Sequence, residues 1–179
     1  SSGEAPRHNG LTELGKTVVA EMNRIGMMVD VSHVSDKTFA DVLAVSRAPV
    51  LASHSSCRAI SNIPRNMTDE MIRALAAKGG VIQINFGCEF LNQKSADTST
   101  FSNAALRRRA GELKKAGRTA DLADLKASIV PAQLSDIVAH IDYVRRIAGI
   151  DAVGIGSDFD GVECLPKGME DVSKFPALT

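Results

Sequence analysis

The sequence has 179 residues, enough for one domain with its own hydrophobic core, and its apolar content of 44% is ordinary for a globular protein. Lys and Arg together number 21, as do Asp and Glu, so the formal net charge is zero and no overall field favours nucleic acid or an anionic membrane. No apolar run approaches the roughly 20 residues that a membrane-spanning helix needs. We therefore expect no nucleic-acid partner.

The cysteines and the first residues bear on the cellular compartment. Cys57, Cys88 and Cys164 are scattered and form no CxxC pair, so reduced structural thiols are expected. The first ten residues, SSGEAPRHNG, contain no apolar stretch and no initial Met, and are interpreted as a loop rather than a signal peptide. The cytoplasm is favoured over the periplasm or secretion.

Hydrophobic periodicity predicts helices and strands in alternation. The segment LTELGKTVVAEMNRIG has apolar residues at helical spacing and stops at Gly26, and MMVDV is then a short strand. Ser35 is predicted to cap the next helix, which PVLAS follows as the second strand. Thr68 is predicted to cap a third helix, which ends at the Gly-Gly pair before the strand VIQINF.

The second half of the chain continues this pattern after an interruption. The polar, periodic stretch from Gln93 to Ser128 predicts a pair of surface helices, inserted over about 94–129. A helix over residues 131–149 and the strand AVGIGS follow. The order αβαβαβ(αα)αβ predicts an α/β fold with a parallel sheet covered on both faces. Four strands form either a small open sheet or half of an eight-stranded barrel.

Three of the four predicted strands end in a residue that could bind metal or transfer a proton. MMVDVSHVSD reaches His33, APVLASHSS reaches His54, and AVGIGSDFDG reaches Asp158. The C-terminal ends of parallel strands meet at one edge, where such folds place their chemistry. Two imidazoles on strands about 4.8 Å apart can share one cation at roughly 2.1 Å from each nitrogen. The alternative, that each is an ordinary hydrogen-bonded residue at a strand end, stays open on the pattern alone.

Four blocks of the sequence resemble one known family. LTELGKTVVAEMNRIGMMVDVSHVS, APVLASHSS, RNMTDEMIRALA and GIGSDFDGV stand in the order and spacing of the membrane dipeptidase (renal dipeptidase) family, peptidase family M19 of the amidohydrolase-like metal hydrolases. The resemblance implies a (β/α)8 TIM barrel of the metal-dependent hydrolase type, with two zinc ions bridged by a glutamate and a water. It also implies zinc-dependent hydrolysis of dipeptides by a metal-bridging hydroxide.

The resemblance assigns roles to four residues. His33 and His54 would be the two histidine ligands of the second zinc. Arg65 would bind the carboxylate of the substrate. Asp158 would be the catalytic residue that handles the proton, and would also bind the amino end of the substrate.

The same resemblance leaves part of the family pattern unmatched. The His-x-Asp pair of the first zinc and the bridging glutamate have no counterpart in this sequence, so the ligands of only one zinc are present. The chain is expected to be a single partial domain, residues 1–179, that contributes strands five to eight of the barrel. The missing N-terminal barrel half is the expected partner, the fragment alone is expected to be inactive, and the resemblance leaves a homodimer open.

Other residues near these motifs are expected to be structural. His140 is predicted to be a packing or surface residue, Asp160 a turn residue, Phe90 a core residue, and Cys57 not a nucleophile; His8 lies in a polar loop. Two alternatives to a dipeptidase stay open. One is another amidohydrolase-type metal hydrolase that acts on amides or lactams, and the other is a non-catalytic half-barrel or degenerate paralogue.

Overall fold

Four parallel strands form one sheet within residues 8–178, which are the residues that the computed structural model describes. The strands lie side by side in chain order, and pairing begins at Val29 with Val50, Leu51 with Val81, and Ile82 with Val153. The strands are β1 Val29–Asp30, β2 Val50–Ser55, β3 Val81–Asn85 and β4 Val153–Ser157. The predicted alternation of helices with strands and the parallel α/β fold are confirmed.

Helices connect successive strands. The α-helices are α1 Glu13–Arg24, α2 Asp36–Val45, α3 Asp69–Ala77, α4 Cys88–Leu91, α5 Gln93–Thr98, α6 Ala104–Lys115, α7 Thr119–Ala127 and α8 Leu134–Ala148; the 3₁₀ helices are Ile150–Ala152 and Val172–Leu178. Within residues 8–178, none of the helices is both long and apolar enough to cross a membrane.

Side-chain caps set the starts of the first three helices. The hydroxyls of Thr12, Ser35 and Thr68 accept hydrogen bonds from backbone N–H groups in the first turns of α1, α2 and α3. Each cap satisfies an N–H that the helix itself leaves unpaired. The caps predicted at Ser35 and Thr68 are therefore confirmed.

The predicted strand MMVDV and the predicted pair of inserted helices differ from the structure. Only Val29–Asp30 of MMVDV is strand, and Met27 and Met28 before it are exposed, because pairing with β2 begins at Val29. The inserted segment contains α5, α6 and α7 instead of a pair of helices.

The core lies between the sheet and the helices α2, α3 and α8. Its fully buried centre includes Ala52, Ile82 and Ile84 from the strands, packed in one cluster with Ile72 of α3 and Ile137 of α8. The opposite side of the sheet is more open within the described residues. No residue of β4 is fully buried and Ile155 is 46% exposed, so the cover predicted for both faces is not found there.

The cysteines differ from the prediction. Cys88 at the start of α4 and Cys164 after β4 form a disulfide, so the prediction of reduced thiols is wrong for two of the three. Cys57 is free and buried, and burial raises the pKa of its thiol to about 12, which confirms that it is not an activated nucleophile. Because disulfides persist mainly in oxidising compartments, the pair weakens the case for the cytoplasm; the compartment itself stays a prediction. The sequence predicts that residues 1–10 are a loop rather than a signal peptide. Residues 1–7 of this segment lie outside the described residues.

Candidate active site

Two histidines meet at the C-terminal edge of the sheet. His33 follows β1 and His54 lies in β2, and their Nε2 atoms are 2.8 Å apart, with ring centroids 4.9 Å apart. This separation is shorter than twice the roughly 2.1 Å of a metal–nitrogen bond, so both nitrogens could reach one cation. The geometric expectation from the sequence is confirmed.

The backbone is unusual at the same edge of the sheet. Among the described residues, the non-glycine residues with positive φ are His33 at 71°, Ser157 at 33° and Asp158 at 67°. L-residues seldom adopt this left-handed region, and they persist there where the surrounding structure holds them. Two of these three residues were named from the sequence as site residues. Such strain clusters at functional sites, which makes it an independent reason to place the site here.

A hydrogen-bonded chain behind His54 fixes its tautomer. Because the ionised carboxylate of Asp30 can only accept hydrogen bonds, Ser53 Oγ is the donor to Asp30 Oδ2, at 2.5 Å. Ser53 Oγ then accepts from Nδ1–H of His54 at 2.7 Å. The lone pair of His54 is therefore on Nε2, the atom that faces His33. Partners of this kind orient the histidines of metal sites.

Asp30 is held in its charged form. Burial acts to raise its pKa, but the hydrogen bonds from the side chain of Ser53 and from the backbone N–H groups of Ser32 and Ser53 outweigh this and keep the pKa below its ordinary value. Those backbone groups donate to Asp30 Oδ1 at 2.9 and 3.1 Å. Asp30 and Ser53 are not among the residues predicted from the sequence, although Asp30 lies three residues before His33 and Ser53 directly precedes His54.

Arg65 lies in the loop between β2 and α3. It is only 8% exposed and is therefore not a surface arginine. Its guanidinium lies 5.3 Å from the centre of the Phe90 ring, and Nη2 donates to the backbone oxygen of His54 at 3.4 Å. Its Nε is buried without a hydrogen-bond partner, a state that costs about 1–3 kcal/mol in proteins. A buried cation with a donor to spare is suited to an anionic ligand.

Asp158 follows β4 and is held by a residue of β3. Its Oδ2 accepts a hydrogen bond from Nδ2 of Asn85 at 2.8 Å. Asn85 is fully buried and is the last residue of β3. Asn85 is a polar residue near the end of the apolar segment VIQINF, a signal similar to that of the two histidines, but it is not among the residues predicted above.

The charged groups at this edge of the sheet influence the pKa values of His33 and Arg65. Burial lowers the pKa of His33 most, the positive charge of Arg65 lowers it further, and a proton on His54 would act in the same direction. The carboxylates of Asp158 and Asp30 act in the opposite direction. Burial also lowers the pKa of Arg65, again opposed by Asp158 and Asp30. The direct contacts of His33 with His54 and of Arg65 with the His54 backbone agree with this, so the four residues that the sequence proposed lie at the same edge of the sheet.

The donor set fits part of a zinc site. Two histidine nitrogens with one tautomer already fixed supply half of a four-coordinate set. Within residues 8–178, no group of three or more His, Cys, Asp or Glu side chains is close enough to hold a metal by itself. The described residues thus fit a metal to which further ligands are added.

The remaining residues considered from the sequence lie elsewhere. Asp160 is in the exposed turn after Asp158, and Phe90 packs in a small core cluster, as predicted. His140 is fully buried, where Nδ1 accepts from the backbone N–H of Cys57 at 3.0 Å and Nε2–H donates to the oxygen of Leu91 at 3.1 Å. Its predicted packing role is confirmed. His8 is exposed.

The parallel α/β fold of the chain matches solved metallopeptidases whose fold is of the TIM-barrel type. The whole chain, residues 1–179, matches the family described as membrane dipeptidase (peptidase family M19). The chain belongs to this family.

Individual relatives agree with this assignment. The chain is 39% identical over 175 residues to dipeptidase aclJ of Aspergillus oryzae, covering 98% of this chain and 34% of that protein. It is 38% identical over 169 residues to the uncharacterized dipeptidase C965.12 of Schizosaccharomyces pombe, covering 94% of this chain and 33% of that protein. The chain thus spans about a third of the length of these curated relatives.

Two solved structures are also similar. The probable dipeptidase PvdM from Pseudomonas aeruginosa has a TM-score of 0.83 and 32% identity, over 99% of this chain and 49% of that one. A metallo peptidase from Rhodobacter sphaeroides, liganded with a phosphinate mimic of the dipeptide L-Ala-D-Ala, has a TM-score of 0.73 and 31% identity, over 99% of this chain and 41% of that one.

Proposed function

We propose that this chain forms one side of the active site of a zinc-dependent dipeptidase. The observation that carries the proposal is the pair of Nε2 atoms of His33 and His54, which are 2.8 Å apart. The buried Arg65 and the carboxylate of Asp158, which accepts a hydrogen bond from Asn85, lie at the same edge of the sheet. Family membership and the names of the relatives support the reaction class.

His33 and His54 would hold one of two zinc ions. When bound, zinc would lower the pKa of the attacking water towards neutrality and polarise the peptide carbonyl. The other ligands, including a bridging glutamate, would come from parts of the protein outside these 179 residues, since the similar solved chains are about twice as long.

The four strands would be strands five to eight of a (β/α)8 barrel. The sequential parallel order of β1 to β4 supports this, as does the exposure of Met27, Met28 and Ile155 at and beside the sheet. A first barrel half would pair with the open sheet edges and cover these apolar side chains.

Arg65 would bind the terminal carboxylate of the dipeptide. A guanidinium can hold a carboxylate through two parallel hydrogen bonds, and Nε of Arg65 is a buried donor without a partner among residues 8–178. Amides or lactams without a carboxylate would leave this donor unpaired, so the arginine favours dipeptides over those substrates.

Asp158 would move the proton. Its carboxylate would accept a proton from the attacking water and return it to the nitrogen of the leaving amine when the peptide bond breaks. The left-handed backbone at Asp158 and its bond to Asn85 fix the direction in which the carboxylate points.

The test uses the full-length protein and its His33→Ala and His54→Ala variants. We expect the wild type to bind two zinc ions and hydrolyse dipeptides, and each variant to lose about one zinc and nearly all activity. His140→Gln is the matched control, because His140 is a buried histidine that bonds to the backbone of Cys57 and Leu91 rather than to a site residue. A wild type that binds no zinc, or zinc-loaded protein without activity on dipeptides, would contradict the proposal.

A further inference from the structure

We propose that Asn85 and Gly161 are positioning residues that set the orientation of the Asp158 carboxylate and leave Oδ1 as the oxygen that exchanges the proton. The inference rests on the proposed function, because it concerns how Asp158 performs its part of that reaction. Neither residue is assigned a role by the family resemblance.

The orientation of the Asn85 amide is determined by its own neighbours. The backbone N–H of Gly87 donates to Asn85 Oδ1 at 2.6 Å, so the oxygen must be on that side and the Nδ2 group on the other. Nδ2 donates to Asp158 Oδ2 at 2.8 Å. Since Asn85 is fully buried, exchanging the two ends of the amide would leave the Gly87 N–H unpaired and place two acceptors together.

Gly161 confines the same carboxylate from another side. A Cβ placed on Gly161 would lie only 2.2 Å from Asp158 Oδ1 and 2.9 Å from its Cγ. The loop turns back directly onto the carboxylate, and the backbone N–H of Gly161 donates to the backbone oxygen of Asp158 at 3.0 Å. Any side chain at this position would push the carboxylate away from its present orientation.

Together the two residues give the oxygens of Asp158 different surroundings. Oδ2 accepts the hydrogen bond from the amide of Asn85, whereas Oδ1 accepts none from Asn85 and lies where a side chain at Gly161 would begin. A proton taken from water would therefore be carried on Oδ1 and delivered from it to the amine, while the bond to Asn85 stays intact. Proton transfer depends on a heavy-atom geometry of about 2.6–3.2 Å, so a rotated carboxylate would lose rate without losing substrate.

The β3 end that carries Asn85 is itself anchored to the segment of Asp158. The backbone N–H of Phe86 donates to the oxygen of Ser157 at 2.8 Å, and that of Cys88 donates to the oxygen of Cys164 at 3.0 Å. The Cys88–Cys164 disulfide joins the same two segments. These contacts fix the position of Asn85 relative to Asp158.

The test is a steady-state comparison in the full-length, zinc-loaded protein. Asn85→Asp keeps the size and the acceptor for Gly87 but replaces the donor with a charge that repels Asp158. We expect kcat on a dipeptide to fall on the order of 10²-fold, while KM and zinc content change by less than about threefold. Ser61→Ala is the matched control, because it removes another buried hydrogen bond, from Ser61 Oγ to the oxygen of Glu89, without touching Asp158.

Gly161→Ala keeps the test decisive if Asn85→Asp does not fold. Gly161 is exposed in a turn, so the substitution is expected to fold and to lower kcat with the same selectivity. Variants with unchanged kcat, or with losses of kcat that only follow losses of zinc or of thermal stability, would overturn the inference. An inactive wild type would instead contradict the proposed function, and the inference would fall with it.

Discussion

Acidification should destabilise the protein through one buried histidine outside the site. His140 of α8 has no exposed surface, and both of its ring nitrogens are already used, by the N–H of Cys57 and the oxygen of Leu91. Burial lowers its pKa to about 4, against an ordinary value of 6.5. A proton added to Nδ1 would lose the bond from Cys57 and place a charge in the core.

The size and sign of the effect follow from proton linkage. The unfolded chain binds a proton below pH 6.5, whereas the folded chain binds one only near pH 4, so the free energy of unfolding falls as the pH falls between these values. The loss is about 1 kcal/mol at pH 5.5 and about 3 kcal/mol at pH 4. Above about pH 7.5 this histidine contributes almost no pH dependence.

Urea unfolding of the metal-free protein at a series of pH values measures this loss. Removing the metal first prevents acid release of zinc from contributing to the result. His140→Gln is the comparison, because glutamine is neutral at every pH used and can still offer one acceptor and one donor. The reasoning would be refuted if wild type and His140→Gln lost stability equally between pH 6.5 and pH 4.

Three further predictions concern the disulfide and the site. Peptide mapping of unreduced protein should recover Cys88 linked to Cys164, and Cys88→Ser should lower the free energy of unfolding by about 2–4 kcal/mol, since the bond closes a sequence separation of 76 residues; free thiols at both positions would contradict the linkage. Ser53→Ala should weaken zinc binding about 10- to 100-fold in a chelator competition, because His54 loses the partner that fixes its tautomer, and unchanged affinity would show that Ser53 does not orient the ring. Asp158→Asn should leave zinc bound while kcat collapses, because an amide cannot accept the proton; retained kcat would remove Asp158 from the proton path.

Local signals in the sequence predict much of the fold. Ser35 and Thr68 cap helices because their hydroxyls reach an N–H only three residues away, which a short window of sequence contains. The meeting of His33 and His54 was predictable for a related reason. Parallel strands place their ends at one edge, so the alternation of elements is enough to bring the two residues together.

Contacts between distant segments could not be predicted in the same way. The Cys88–Cys164 pair joins residues that are 76 positions apart, and the spacing of three cysteines does not reveal which two will meet. The contact of Asp30 with Ser53 depends on how β1 and β2 are aligned, with Asp30 paired to Leu51, which periodicity does not determine. Asn85 differs from both, since its position at the end of β3 was visible and only its partner was not.

The central claim is that His33 and His54 bind the same zinc ion. Anomalous diffraction at the zinc edge, from crystals of the full-length protein, tests it most directly. The account predicts a peak about 2.1 Å from Nε2 of both histidines. Zinc found elsewhere in the protein, with the two Nε2 atoms still in direct contact, would contradict it.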